Sequence, residues 1–426
     1  MTQTHYWHPF ADMHAVRDNE LVMDRGDGIW VWDEAGTRYL DATASLWCVN
    51  VGHGREELAD AAAAQMRKLA SYSTFGAFAN RPALELCDRL AALAPVDDAR
   101  IFLTSGGGDS IDTAAKLARR YFHVMGQPDR VHLIGRTYGY HGTHGHGTAI
   151  GGIPANRMGM GPLDDAHTSH AVHDDLADLE AEVERVGPGT VAAIFIEPVI
   201  GAGGVHQPQP GYLEGVADLC ERTGILFVAD CVINAFGRLG EWFGPARFGV
   251  RPDMITFAKG VTSGYIPLGG VVIDGRLAAP FWDRAGHTFR HGQTYAGHPT
   301  ACAVAMANMD IIEREGLLAR GLELEQEIAL ALSSLDGHEL VGEIRAGIGA
   351  LGAVAFREDL LATHPDLPAR VFGQAMDRGV LVRPLGDGVA ISPPLIITRE
   401  EVGQVASTIA DALDEVVRDL GGVAAR

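Results

Sequence analysis

Lysine is nearly absent from this chain: of 34 basic side chains only Lys68, Lys116 and Lys259 are lysines, against 31 arginines. Basic charge as a whole is scarce, because 55 acidic residues leave a formal net charge of −21. A surface of that sign repels the phosphate backbone of nucleic acid, and no basic stripe offsets it, so nucleic acid makes a poor partner. No stretch reaches the roughly 20 apolar residues that a membrane helix needs. The opening MTQTHYWHPFADMH has neither the basic start nor the apolar run of a secretory signal. A soluble, cytoplasmic protein without membrane contact is expected. Cysteine is sparse as well. Cys48, Cys87, Cys220, Cys231 and Cys302 are odd in number, form no Cys-x-x-Cys pair, and read as free thiols in a reducing compartment.

What is present is an ordinary globular composition, 426 residues with 47% apolar and 21% charged side chains, enough for two subdomains. Near the N-terminus GIWVWDEAGTRYLDA alternates around the turn Asp33-Glu34-Ala35-Gly36, a hairpin signature. From about residue 55 short branched runs alternate with helical segments: ARIFLT, a helix from Asp109, RVHLIG, helices near 175–186 and 212–223, TVAAIFIEP, ILFVAD and MITFA. That alternation predicts an α/β fold with a mostly parallel sheet and helices on both faces. After about residue 300 two helices and short strands around GALGAVAFR, GVLVRP and GVAISPP suggest a smaller α+β domain. The expected division is an N-terminal segment of the small domain over 1–55, a large domain over 56–300 and the C-terminal small domain over 301–426.

Parallel sheets place ligand sites beyond the carboxyl ends of their strands. Asp230 closes ILFVAD and Lys259 follows MITFA, so both project to one edge. The bland reading is a structural ion pair. The chemical one is an imine-forming lysine, whose amine burial keeps neutral enough to attack a carbonyl. TSGGGDSIDTAAKLARR adds a glycine cluster between a strand and a helix, where free backbone N–H groups form a phosphate cradle. Such a turn alone is more often only a turn, and it matches neither a Walker A nor a GxGxxG pattern. Cradle, acid and lysine together suit pyridoxal 5′-phosphate, with Asp230 keeping the pyridine nitrogen protonated.

Read in order, LWCVNVGHG, FLTSGGGDSIDTAAKLARR, YHGTHGHGT, IFIEPVIGAGG, LFVADCVINAFGRLG, FAKGVTSGYIPLGG, RHGQTYAGHPTACA and GVAISPPLIIT resemble the class III pyridoxal-phosphate aminotransferases, especially the branch of ω-amino acid (β-alanine):pyruvate transaminases. The resemblance implies a fold-type I, aspartate-aminotransferase-like architecture and a homodimer with active sites at the subunit interface, possibly paired into tetramers. It makes Lys259 the Schiff-base lysine and Asp230 the partner of the ring nitrogen. Val232 and Tyr140 flank the ring, and Gly107 and Gly108 hold the phosphate. Glu197 is an acid near the site, and Thr294 reaches the phosphate from the neighbouring subunit. Arg383 clamps a substrate carboxylate and Trp47 shapes the substrate pocket.

Each residue also has a plainer reading: Tyr140 as a loop aromatic, Val232 as core, Thr294 as a turn residue, Arg383 as an exposed strand arginine, Trp47 as a buried tryptophan. The histidines at 141, 144 and 146 invite a metal reading, but with no acidic partner evident they are expected to be satisfied or solvent-facing, and no metal is expected. Two departures from the family pattern stand out. Cys231 replaces a usual acid that could position Asp230, and Gly108 replaces serine or alanine. The reaction implied is a ping-pong transfer of an amino group from an ω-amino acid or amine to a keto acid such as pyruvate. A racemase or decarboxylase would use the same cofactor residues, whereas a non-catalytic binding protein would tolerate loss of Lys259.

Overall fold

The structure, a computed structural model, describes residues 4–421. Met23–Asp27 (β1), Trp30–Asp33 (β2) and Arg38–Asp41 (β3) form an antiparallel meander. The β2–β3 turn is the expected one: Asp33 Oδ1 accepts from the Thr37 N–H at 2.7 Å, and Gly36 takes φ +84°.

The central sheet holds Arg100–Thr104 (β4), His132–Arg136 (β5), Thr168–Ala171 (β6), Val191–Ile196 (β7), Leu226–Asp230 (β8), Met254–Phe257 (β9) and Gly269–Ile273 (β10). Their order is β4-β10-β9-β8-β7-β5-β6, with β6, β5, β7, β8 and β9 parallel and β10 antiparallel to both neighbours. Period-two alternation sends side chains to two separate cores. Phe195, Val228, Met254 and Val271 pack with Ile111, Ala114, Ala118 and Phe122 of the helix Gly107–Val124. Ile194, Phe227, Ala229 and Ile255 face the other way.

Strands β6 and β10 lie outside the sequence expectation, and one helix starts earlier than expected. Strand β10 begins with Gly269-Gly270, residues that are depleted in strands. A side chain at 269 would come within 2.8 Å of Gly106 O, and one at 270 within 2.4 Å of the Phe257 ring, so only glycine lets this strand approach. The helix expected from Asp109 starts two residues earlier, which puts Gly107 and Gly108 in its first turn. Ser110 fixes that turn: its hydroxyl lies 2.8 Å from Thr104 Oγ1, 2.9 Å from Gly106 O and 3.2 Å from Phe257 O.

Beyond residue 300, Val341–Arg345 (β11), Gly352–Phe356 (β12), Val380–Leu381 (β13), Arg383–Pro384 (β14) and Gly388–Ile391 (β15) follow two helices, Pro299–Arg314 and Leu317–Ser333. Strands β11, β12, β15 and β14 form an antiparallel sheet, while β13 pairs in parallel with β3 and ties the N-terminal meander to the last third of the chain. The final helix, Arg399–Asp419, opens with a capping box between Thr398 and Glu401. Among the described residues no helix is long and apolar enough to cross a membrane.

Because Ser110 joins a helix start to two strands, Ser110→Ala is expected to lose that hydroxyl's bonds while Thr104 Oγ1 keeps Gly106 O at 3.2 Å, at a cost of about 0.5–1.5 kcal/mol. A lowered urea midpoint at unchanged slope would show this; an unchanged midpoint would remove Ser110 from the framework.

Candidate active site

Strands β8 and β9 run side by side with Asp230 opposite Thr256, so the chain leaves both at the same edge. Lys259 lies two residues past β9 with φ +46°, a left-handed conformation that costs a side-chain-bearing residue about 1–3 kcal/mol. The following turn is held from outside: Asn308 Nδ2 donates to the carbonyls of Gly260 and Val261 at 2.9 and 3.0 Å. A side chain at 260 would come within 2.6 Å of Asn50 Nδ2, so the close packing requires glycine there.

The Lys259 amine and the Asp230 carboxylate line one cavity of 220 Å³ with Gly107, Gly108, Tyr140, Glu197 and Val232. Seven of the expected site residues are thus brought together. Burial lowers the pKa of the Lys259 amine, opposed chiefly by the charge of Asp230. Asp230 is buried and heavily bonded. Its Oδ1 accepts from the Val232 N–H at 3.0 Å and the Thr256 hydroxyl at 3.1 Å, and its Oδ2 lies 2.8 Å from His141 Nδ1. One acceptor position on Oδ2 is left for a further donor.

His141 is the residue that sequence reasoning missed as part of the site. It is buried against Asp230, whereas His144 is half in solvent, 3.3 Å from Asp109, and His146 is placed by its backbone N–H on Asp112. The three do not converge, and among the described residues no group of three or more His, Cys, Asp or Glu is arranged to hold a metal ion. The available signal was a buried acid that needs a partner and a histidine beside Tyr140 in the same motif. Glu197 is committed to the backbone: Oε1 accepts from the Tyr140 N–H at 2.9 Å and Oε2 from the Gly201 N–H at 3.0 Å, while burial raises its pKa.

The remaining expected residues lie elsewhere. Trp47 is buried among Val199, Ile233 and Leu351, and it is its neighbour Leu46 that lines the cavity. Residues 44–47 include three non-glycine residues with positive φ, a strained path that turns the indole into the core. Thr294 is exposed and does not line the cavity of its own chain. Arg383 sits on β14 outside the lining. It is exposed, and its positive charge helps burial to lower the Lys259 pKa.

The two departures also have a structural account. Cys231 is buried with its thiol pKa pushed well up by burial, and none of the three bonds on Asp230 comes from position 231. A Cβ at 108 would come within 3.2 Å of the His144 ring, so glycine lets that imidazole cover the helix start. With no side-chain cap on the helix and no side chain at 107 or 108, backbone N–H groups face the cavity bare, which fits a phosphate group. The donor set therefore fits pyridoxal phosphate: a bare helix start, a buried carboxylate with one free acceptor position and an amine of lowered pKa.

Residues 13–413 match the family described as Aminotransferase class-III. The chain is 35% identical to the putrescine–pyruvate aminotransferase of Pseudomonas aeruginosa, over 97% of this chain and 95% of that protein. It is 32% identical to the β-alanine–pyruvate aminotransferase of the same organism, over 96% of each. The crystal structure of a thermostable (S)-enantioselective ω-transaminase from Thermomicrobium roseum superimposes with a TM-score of 0.93 at 39% identity, over 97% of this chain and 96% of that one.

The lowered pKa of Lys259 has a signed consequence in the cofactor-free protein. Between that lowered value and the ordinary 10.5, the unfolded chain holds a proton that the folded chain has released, so stability rises with pH across the window. Relative to Lys259→Met, the native chain should be least stable at neutral pH, with the gap closing towards 10.5. A gap in urea unfolding free energy that does not change with pH would contradict the lowered value.

Proposed function

The chain belongs to the class-III aminotransferases, and from that premise we propose that it moves an amino group from an ω-amino acid or amine to a keto acid such as pyruvate by a ping-pong mechanism. One observation carries this reading: a lysine amine of lowered pKa and a buried carboxylate line the same cavity as a bare, glycine-built helix start. Bound there, pyridoxal phosphate supplies an aldehyde that takes up the amino group and a ring that draws electrons from the bond being broken.

The chain's own residues do the rest. Lys259 Nζ, whose pKa burial lowers, would take the proton from the substrate carbon and return it on the far side of the transfer. Asp230, held by His141, Val232 and Thr256, would accept from the N–H of the cofactor ring. Gly107 and Gly108 would hold the phosphate through backbone N–H groups, Val232 and Tyr140 would flank the ring, and Glu197 holds Tyr140 in place by its backbone. Arg383, exposed on β14 and with its positive charge acting on Lys259, receives the acid group of the substrate. Trp47 reaches the substrate only indirectly, by fixing the course of Leu46.

The finer organisation belongs to the same proposal. Residues 56–300 form the cofactor domain, and 1–55 with 301–426 form the smaller one, a division supported by the β3–β13 pairing. The active form is a cytoplasmic homodimer. Tyr72, Phe75, Phe78 and Tyr295 are exposed, and Phe75 and Phe78 border a hollow of 830 Å³ that a second copy would fill. Thr294, exposed and away from its own cavity, is free to serve the other copy's phosphate.

Purified protein should show the visible band of lysine-bound cofactor, bleached by β-alanine or a benzylic amine and restored by pyruvate. No band, or the same band in Lys259→Ala, would sink the assignment, and release of carbon dioxide or loss of chirality without alanine would point to decarboxylation or racemisation instead. Arg383→Ala should weaken carboxylate-bearing substrates at least tenfold more than plain amines in kcat/KM, a loss of about 1.4 kcal/mol in their discrimination. Equal losses for both classes would remove Arg383 from substrate recognition.

A further inference from the structure

The segment that brings Leu46 to the cavity is held from behind by a carboxylate that amine transfer does not use. Asp41 ends β3 and is buried. Its Oδ1 accepts from the Thr43 N–H at 3.0 Å and the Thr43 hydroxyl at 2.8 Å, and its Oδ2 from the Ser45 N–H at 2.6 Å and from His53 Nε2 at 2.9 Å. Burial alone would raise the Asp41 pKa, but the bonds from His53, Ser45 and Thr43 outweigh it and hold the carboxyl below its usual range. Asp41 is therefore ionised and can only accept, so His53 Nε2 carries the hydrogen between them.

His53 is itself fixed. Its N–H donates to Gly28 O at 2.7 Å and its carbonyl accepts from the Gly28 N–H at 3.1 Å, while a side chain at 26 would come within 2.8 Å of His53 Cβ. The turn that this pair supports is strained. Ala44, Ser45 and Trp47 take φ of +46°, +59° and +63°, conformations that residues with side chains keep only where their surroundings impose them. On one side Trp47 anchors the turn among Val199, Ile233 and Leu351. On the other, Asp41 holds the N–H of Ser45, the residue directly before Leu46. Between the two anchors Leu46 lines the Lys259 cavity, together with Ile111 and Ile233.

We propose that Asp41, oriented by His53, is a positioning residue for amine selection: its carboxylate fixes the 43–47 turn so that Leu46 walls the cavity and limits the bulk of the amine that enters. This role rests on the amine-transfer reading above and adds to it two residues that touch neither cofactor nor substrate. Both oxygens of Asp41 are needed. An amide at 41 keeps one acceptor oxygen and turns an N–H₂ group toward the other set of donors, so either Thr43 or the Ser45–His53 pair loses its partner. With one anchor gone the strained turn relaxes, and the wall that Leu46 makes withdraws.

The test measures kcat/KM of the cofactor-loaded protein for isopropylamine and for 1-phenylethylamine, with pyruvate as acceptor, and follows the ratio of bulky to small amine. Leu46→Ala should raise that ratio about fivefold or more by opening the wall. Asp41→Asn should raise it in the same direction with the visible band of lysine-bound cofactor unchanged, and Asp41→Asn combined with Leu46→Ala should raise it no further than Leu46→Ala alone, because one residue acts through the other. His53→Ala should follow Asp41→Asn, whereas His53→Gln, which keeps an N–H donor for Oδ2, should retain the native ratio. Where Asp41→Asn does not fold, the two His53 variants decide. A native ratio in both Asp41→Asn and His53→Ala would overturn the role, as would equal losses for both amines, or shifts that multiply in the double variant. Native protein without the visible band would overturn the amine-transfer reading, and this role with it; a native band with unshifted ratios overturns the role alone.

Discussion

Keeping the Asp230 carboxylate out of water is the constraint around which the site is organised. An ionised carboxylate in an apolar setting is costly unless its oxygens are filled, and three donors from separate parts of the chain fill all but one position: the Val232 N–H, the Thr256 hydroxyl and His141 Nδ1. Asp230 lines the cavity that also holds the Lys259 amine. The same burial that would penalise Asp230 lowers the pKa of Lys259, while the carboxylate's charge pulls that pKa back up. The lowered pKa of the amine thus reflects both the burial it shares with the carboxylate and the carboxylate's opposing charge.

The sheet turns that chemistry into geometry. Parallel pairing of β8 with β9 brings two strand ends to one edge, and the close approach of β10, possible only with Gly269, holds Gly106 and the helix start beside them. Strain collects there too. Lys259 adopts a left-handed backbone and residues 44–47 follow a path with three positive φ values, both bordering the same cavity. Tight packing by Asn50, Asn308 and the Trp47 core holds these segments in conformations they would not adopt in isolation.

Much of this was legible in the sequence because it depends on local pattern. Buried parallel strands show as short branched runs, and the helices 176–186 and 212–223 and strands β4, β5, β7, β8 and β9 lie close to where periodicity puts them. Strand β10 was not legible, because glycines are depleted in strands and Gly106 and Phe257 press against them only in the folded chain. The helix start at Gly107 was misplaced for a related reason, glycine being a poor helix former except where a ligand or backbone must come close.

The sequence by itself determined the chemical inventory: one lysine after an apolar run, one acid at a strand end, a glycine-built turn between strand and helix, and the order of motifs that marks the family. Those features reside in single residues and their immediate neighbours. Tertiary structure alone decided which residues meet. It paired His141 with Asp230 across 89 residues of chain, presented Leu46 rather than Trp47 to the cavity, left Thr294 facing away from it, and set His53 against Asp41 behind the turn that carries Leu46. The physical reason is that these contacts depend on strand order and loop path, which set distances between segments that the sequence leaves far apart.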